Sequence, residues 1–310
     1  MTFNSSLSIV KHPIQTTGLT ALITRVARQV MAIPASIPPV GLVLISSFAI
    51  QFGSAFSKTI FDTVGSSGTV FVCKLIAAVL LLVMARPRWR DYTPRDYGLV
   101  IVMGMWMAGM NLAIYGAISR IPLGIASALE FLGPLTLALA GSRQILDLLW
   151  VVFAATGVFL LAPTAGFDLN PIGVGLALVA AGCWAGYILA SVPVGRVFSG
   201  GTGLAIAMSV ATGFLAVPGI AEGGMALLSP IVLLVGIVVA VIGTMLPYSL
   251  EYAALKRISP RTFGILLSIE PAIATIIGFV FLKETIDLRT AIAISCVIIA
   301  AIGVTLGSKK

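Results

Sequence analysis

The sequence predicts an all-α integral membrane protein in which ten transmembrane helices form two inverted five-helix repeats. Three observations carry that reading. Of the 310 residues, 59% are hydrophobic and only 10% charged, and the apolar residues gather in runs of about 20, the length a helix needs to cross a bilayer. The basic residues fall mostly in connections on one side of the membrane. The chain also repeats itself, because IYGAISRIPLGIASALEFLGPLTLALAG (114 to 141) lines up without a gap on EYAALKRISPRTFGILLSIEPAIATIIG (251 to 278) at an offset of 137.

The first 37 residues carry no acid, and Leu19, Leu22, Ile23, Val26 and Val30 recur at helical spacing around Arg25 and Arg28. This is the pattern of either a surface-lying amphipathic helix or a disordered cytoplasmic tail. It lacks the apolar core and cleavage site of a secretory signal, while its composition is compatible with an organelle transit peptide. Charge clusters and Pro/Gly breaks then delimit the first repeat, 38–163, with spans at 38–57, 66–85, 98–118, 121–141 and 147–163. The second repeat, 172–307, has spans at 172–194, 203–218, 230–250, 262–282 and 288–307. Tyr115 registers with Tyr252, Arg120 with Arg257, Pro134 with Pro271 and Gly141 with Gly278. Five spans are an odd number, so the second repeat runs through the membrane upside down, as in many secondary transporters.

With a cytoplasmic N-terminus, fourteen of the nineteen Lys and Arg residues fall on the cytoplasmic side, and both termini lie there. The net charge of +8 is thereby explained by topology and anionic lipid, without nucleic acid. The lipid bilayer is the one surface partner expected. Cys73, Cys183 and Cys296 all sit in apolar spans, and His12 is the single histidine, so neither disulfides nor a metal site is expected. No GxxxxGK[ST] loop, GxSxG, HExxH or two-aspartate motif is present, which argues against ATP binding by the P-loop route and against an intramembrane enzyme. No cofactor is expected.

Charge inside an apolar span singles out the functional candidates. Glu130 lies about ten residues from either end of its span, near the midplane. A charged carboxylate there costs roughly 2.5 to 3.5 kcal/mol, so it faces a polar cavity, is paired or is protonated. It is a candidate proton carrier or substrate ligand; a structural glutamate bonded to a neighbouring helix is the alternative. Pro134 cannot donate to the carbonyl of Glu130, and Pro271 frees the carbonyl of Leu267, the position aligned with Glu130. Matched helix breaks at matched positions point to a substrate site; kinks for packing are the competing account.

Glu270 is deep enough to be a second cavity carboxylate, whereas Glu251, near Lys256 and Arg257, reads as a helix-end or gating ion pair. Lys74 is the only basic side chain well inside a span. Glu130, Glu270 or a substrate carboxylate could answer its charge, or its stem could snorkel to the interface. Polar stripes recur elsewhere: Ser47, Gln51, Ser54 and Lys58; Asn111 and Tyr115; Trp184, Tyr187 and Ser191; Thr244, Tyr248 and Glu251. They suit either a cavity with hydrogen-bonding groups and aromatic walls or interhelical bonding.

The two halves resemble the paired EamA modules of the drug/metabolite transporter superfamily. Within it, IPLGIASALEFLGPL, GCWAGYIL, LPYSLEYAALKRISPRTFG and SIEPA resemble the threonine/homoserine exporter group. The similarity covers nearly everything from Val40 to Leu306; Lys74 stands where that group leads one to expect arginine, and the N-terminal extension is longer than usual. The resemblance implies a ten-helix inner-membrane exporter of small amino acids.

The residues fit a small zwitterionic metabolite, with Lys74 for its carboxylate, Glu130 or Glu270 for its ammonium, and the remaining carboxyl free to carry a proton as coupling ion. One lysine is too little positive charge for phosphorylated sugars. An exporter of hydrophobic or aromatic compounds, lined by Trp106, Phe131 and Trp184, is the rival reading, and a channel or non-transporting membrane scaffold stands outside that class. Single cysteines placed at Asp168 and Glu222 in a cysteine-free variant should react with impermeant thiol reagents from outside the cell, and those at Arg90 and Arg196 should not. Labelling of positions 90 and 168 from one side would contradict the inversion.

Overall fold

The computed structural model describes residues 37–87, 89–140, 147–161, 169–198, 201–255, 257 and 266–307. The N-terminal tail, Arg143, Lys256, Arg261, Asp168 and the side chain of Tyr248 lie outside that description. Among the described residues there is no strand, and twelve α-helices follow one another. They are α1 (Pro39–Ser57), α2 (Phe61–Ala85), α3 (Pro94–Ile118), α4 (Leu123–Glu130), α5 (Leu132–Ala140) and α6 (Asp147–Leu161), then α7 (Pro171–Val197), α8 (Thr202–Gly223), α9 (Pro230–Ala240), α10 (Leu246–Leu255), α11 (Glu270–Leu282) and α12 (Leu288–Gly307). Among the described residues four stretches are long and apolar enough to cross a membrane: Pro39–Ala85, which is broken within, Pro94–Ile118, Pro171–Val197 and Thr202–Leu228. Leu123–Leu137, Pro230–Met245, Glu270–Leu282 and Leu288–Ala300 are shorter apolar helices.

Local chemistry sets the ends. Thr93 and Asp96 form a reciprocal capping box at the start of α3, and the Asn170 side chain accepts from the amides of Ile172 and Gly173 at the start of α7. Pro94 and Pro171 occupy the first helical position, where a missing N–H costs nothing. Within α2 the helix breaks at Gly65, whose φ of 71° favours glycine, so the regular helix begins where the second span is expected. The Glu222 carboxylate fills the place a Cβ would take on Gly65 and accepts from the amide of Ser67 at 2.7 Å.

Three of the expected spans are interrupted. The fourth is split at Phe131 into α4 and α5, three residues before Pro134. The ninth turns at Ser268 and Ile269 before α11 starts at Glu270 and Pro271. In the eighth, the π-helical turn Val241–Met245 joins α9 to α10, and Pro247 follows it without an N–H for the carbonyl of Gly243. That turn lies against α1, where a Cβ on Gly53 would come within 2.6 Å of Gly243 Cα. Only glycine at this crossing lets the two backbones touch.

The interior is built from small residues and the periphery from large ones. Ala117, Ala126, Ala128, Ala177, Ala274 and Ala293 are fully enclosed, while Leu189, Val217, Ile231 and Phe279 are more than half exposed, as expected of faces turned to lipid. Helix pairing follows a rule. Helix α3 packs on α7 and α8, α1 on α10 and α11, α2 on α8 and α9, α4 on α7 and α11, and α6 on α12. A shift by the offset of 137 exchanges pairs among these: α3 with α7 becomes α10 with α1, α3 with α8 becomes α9 with α2, and α5 with α7, which also pack together, becomes α11 with α1. Replacing Gly53 by leucine should separate α1 from the π turn. Overpacking of about 1–3 kcal/mol is expected, read as a fall of several degrees in the thermal midpoint of the detergent-solubilised protein; an unchanged midpoint would mean the helices do not meet there.

Candidate functional site

Polar side chains converge where the interrupted helices face α1 and α2. Glu130 is the last residue of α4, and Glu270 is the first residue of α11. The two carboxylates therefore stand at opposite helix ends, Glu130 beside carbonyls that carry partial negative charge and Glu270 beside amides that carry partial positive charge. Gln51 of α1, 6% exposed, donates from Nε2 to Ser127 Oγ of α4 at 3.3 Å. One turn nearer the start of α1, Ser46 Oγ donates to Glu251 Oε1 of α10 at 2.7 Å. Its neighbour Ser47 is fully buried with no hydrogen bond at bonding geometry, yet lies close enough to the Glu270 carboxyl to interact with it.

Lys74 enters the same region from α2. It is 8% exposed, so its ammonium is held within the protein instead of extending along the outer surface. Glu130 is the carboxylate whose charge it feels, but the only ion pair within 4 Å among the described residues lies elsewhere, so Lys74 and Glu130 are not in direct contact. Glu270 is within electrostatic reach of both Glu251 and Glu130. Glu130 and Glu251 each retain intermediate solvent-accessible area. One basic and three acidic side chains thus lie within electrostatic reach of one another in a chain from Lys74 through Glu130 and Glu270 to Glu251, and the excess of carboxyl groups suits a bound ammonium, a proton or both.

The remaining candidates divide. Trp184 stands edge-on to Phe131 with ring centroids 5.9 Å apart, which places an aromatic wall beside the break that follows Glu130. Asn111 spends its amide on the Met107 carbonyl of its own helix at 2.8 Å. Tyr115 is buried against Phe61, near Ser57 and Cys73, and Tyr187 packs on the same core cluster as Tyr115. Of the two basic residues expected near Glu251, Lys256 lies outside the described residues and Arg257 is not paired with it. Arg257 Nη1 donates instead to the carbonyl of Ile37 at 3.1 Å, while the serine hydroxyl of α1 takes the carboxylate. No group of three or more His, Cys, Asp or Glu suited to a metal ion occurs among the described residues.

Sequence reasoning passed over Ser46, Ser127 and Glu284. Ser127 lies three residues before Glu130, on the same helical face, so spacing alone marks it. Ser46 precedes Ser47, and a stripe traced through every third or fourth residue could hold only one of them. Glu284 lies beyond the apolar spans, where a charge attracts no notice, although the repeat offset of 137 sets it against Asp147. A double-mutant cycle between Gln51→Leu and Ser127→Ala should give a stabilising coupling of about 0.6 kcal/mol, the average for hydrogen bonds between membrane helices; strict additivity would show that the contact does not form.

Comparison with known proteins adds to this geometry. A model of the EamA-like transporter family matches residues 171–306. The threonine/homoserine exporter RhtA of Salmonella typhimurium is 38% identical to the chain over 276 residues, 88% of this chain and 92% of the relative. The protein of the same name from Escherichia coli is 37% identical over the same length and coverage. One solved crystal structure, 19% identical, superposes with a TM-score of 0.53 over 86% of this chain and 97% of its own, a likeness of fold.

Proposed function

The chain belongs to the EamA-like transporter family, and we propose that it is a secondary active exporter of small zwitterionic amino acids of the threonine and homoserine type. In this reading it works by alternating access in the inner membrane, with protons as the coupling ion. Ten crossings in two inverted repeats, 38–163 and 172–307, bring both termini to the cytoplasm. The exchange among helix pairs and the registered Pro134 and Pro271 support the inversion.

The observation that carries the proposal is Lys74, enclosed by protein and within electrostatic reach of Glu130 without forming an ion pair with it. A zwitterion laid between the two side chains answers both charges at once. Its carboxylate meets Lys74, which as a single ammonium satisfies one carboxylate but not a phosphate's extra charge and oxygens. Its ammonium meets Glu130 at the negative end of α4, where Pro134 also leaves the Glu130 carbonyl without its helical donor. Glu270 and Glu251 are then free to hold the coupling proton, and Gln51, Ser127 and Trp184 line the approach. The pair of Trp184 and Phe131 also favours a second reading, in which the cargo is a hydrophobic or aromatic compound held by the wall alone.

Three variants separate these readings. Glu130→Gln keeps the shape but cannot ionise, and should leave folded protein in the membrane with most threonine export lost. Lys74→Met should impair threonine export more than export of its decarboxylated amine, whereas Lys74→Arg, which keeps the charge and adds a planar fork, should largely retain it. Export is measured as the fall in intracellular amino acid in cells fed threonine-containing dipeptides, at matched protein levels. Equal losses for threonine and the amine would reject the carboxylate role of Lys74, and normal export by the glutamine variant would leave Glu130 structural.

A further inference from the structure

The only ion pair among the described residues lies outside the substrate site, at the end of the bundle where α1 finishes and α4 begins. Lys58 Nζ is 3.0 Å from Glu284 Oε1, with side-chain exposures of 22% and 14%. The other carboxylate oxygen, Oε2, accepts from the backbone amide of Leu123, the first residue of α4, at 2.9 Å. One carboxylate in the link between α11 and α12 therefore ties the end of α1 to the start of α4. The link is shaped to deliver it. Lys283 adopts a left-handed φ of 55°, the Glu284 amide returns to the carbonyl of Gly278 at 3.1 Å, and a side chain on Gly278 would collide with the Glu284 carboxylate.

Below this knot are the same two helices that hold the site. Ser127 follows Leu123 by four residues and Gln51 precedes Lys58 by seven, which puts their hydrogen bond roughly 6–10 Å further in along the helix axes. A molecule in the site that leaves by this end must pass between α1, α4 and the link. A partly buried pair suits a contact that opens in every cycle: a fully buried pair is costly to break, and an exposed one holds little.

We infer that Lys58, Glu284 and the amide of Leu123 form a gate that closes the extracytoplasmic end of the transport path and must part before substrate leaves. The word extracytoplasmic rests on the orientation proposed above; the gate itself rests on the geometry.

The test uses the full chain with Cys73, Cys183 and Cys296 replaced by alanine. In a Lys58→Cys/Glu284→Cys variant, a short bifunctional thiol reagent should join the two positions and lower threonine export at least tenfold, with recovery when a cleavable bridge is reduced. Absence of a bridge, or undiminished export through it, would overturn the gate. A second readout needs no knowledge of the cargo. The rate at which an impermeant maleimide reaches Ser127→Cys from outside should rise at least threefold in Glu284→Gln. Lys58→Met should do the same while leaving the Leu123 amide capped, which separates opening from loss of fold; unchanged rates in both would refute the proposal. Labelling that rises only from the cytoplasmic side would reverse the orientation and keep the gate. Loss of export from the unbridged parent with normal labelling would reject the export reading alone.

Discussion

An ammonium enclosed in a low-dielectric interior has to be answered by negative charge, and this requirement at Lys74 organises the centre of the molecule. Glu130 answers it at a distance, through electrostatic interaction without contact. The lack of an ion pair between them separates this arrangement from a structural salt bridge. A closed pair satisfies itself and has no use for a ligand, whereas two separated charges are satisfied best by a molecule that carries the complement of both. The extra carboxylates of Glu251 and Glu270 tilt the balance toward cations and protons, which is why one lysine does not make this an anion site.

Interrupted helices are what make such a site possible in a membrane. Backbone groups can leave a helix only where protein or a polar cavity receives them. Pro134 and Pro271 create those interruptions at matched places in the two halves, and the ends they expose carry opposite partial charges to opposite sides of the site. The π turn opposite Gly53 is a third interruption, and it lets α1 approach closely enough for Ser46 to reach Glu251. The chemistry of the centre thus depends on two glycines that carry no chemistry at all.

Much of this was legible in the sequence because hydrophobic surroundings make polar residues conspicuous. Lys74, Glu130, Glu270 and Gln51 stand out against apolar neighbours, and all four meet in or beside the same interior. The start of the second span at residue 66 followed from Gly65, and the breaks near Pro134 and Pro271 followed from their missing donors. Three things did not follow. Asn111 and Tyr115 share a helical face with each other but turn to their own helix and to α2, since helical spacing reports a face and not what that face meets. Glu251 accepts from a serine of a distant helix while Arg257 turns to the carbonyl of Ile37, contacts set by tertiary packing. Glu284 lies in a link, where charge is cheap, and only the three-dimensional arrangement shows that both of its oxygens are committed.

The central claim is that the site recognises the two opposite charges of one small molecule together. Its most direct test is competition for labelled threonine bound to the purified protein in detergent or nanodiscs. The competitors are homoserine, the amine left when threonine loses its carboxylate, and the hydroxy acid left when it loses its amino group. The account predicts displacement by homoserine at concentrations similar to threonine, and at least tenfold weaker displacement by either single-charge analogue, since each leaves Lys74 or Glu130 unanswered. Equal displacement by the amine, by the hydroxy acid or by an uncharged aromatic compound would contradict it.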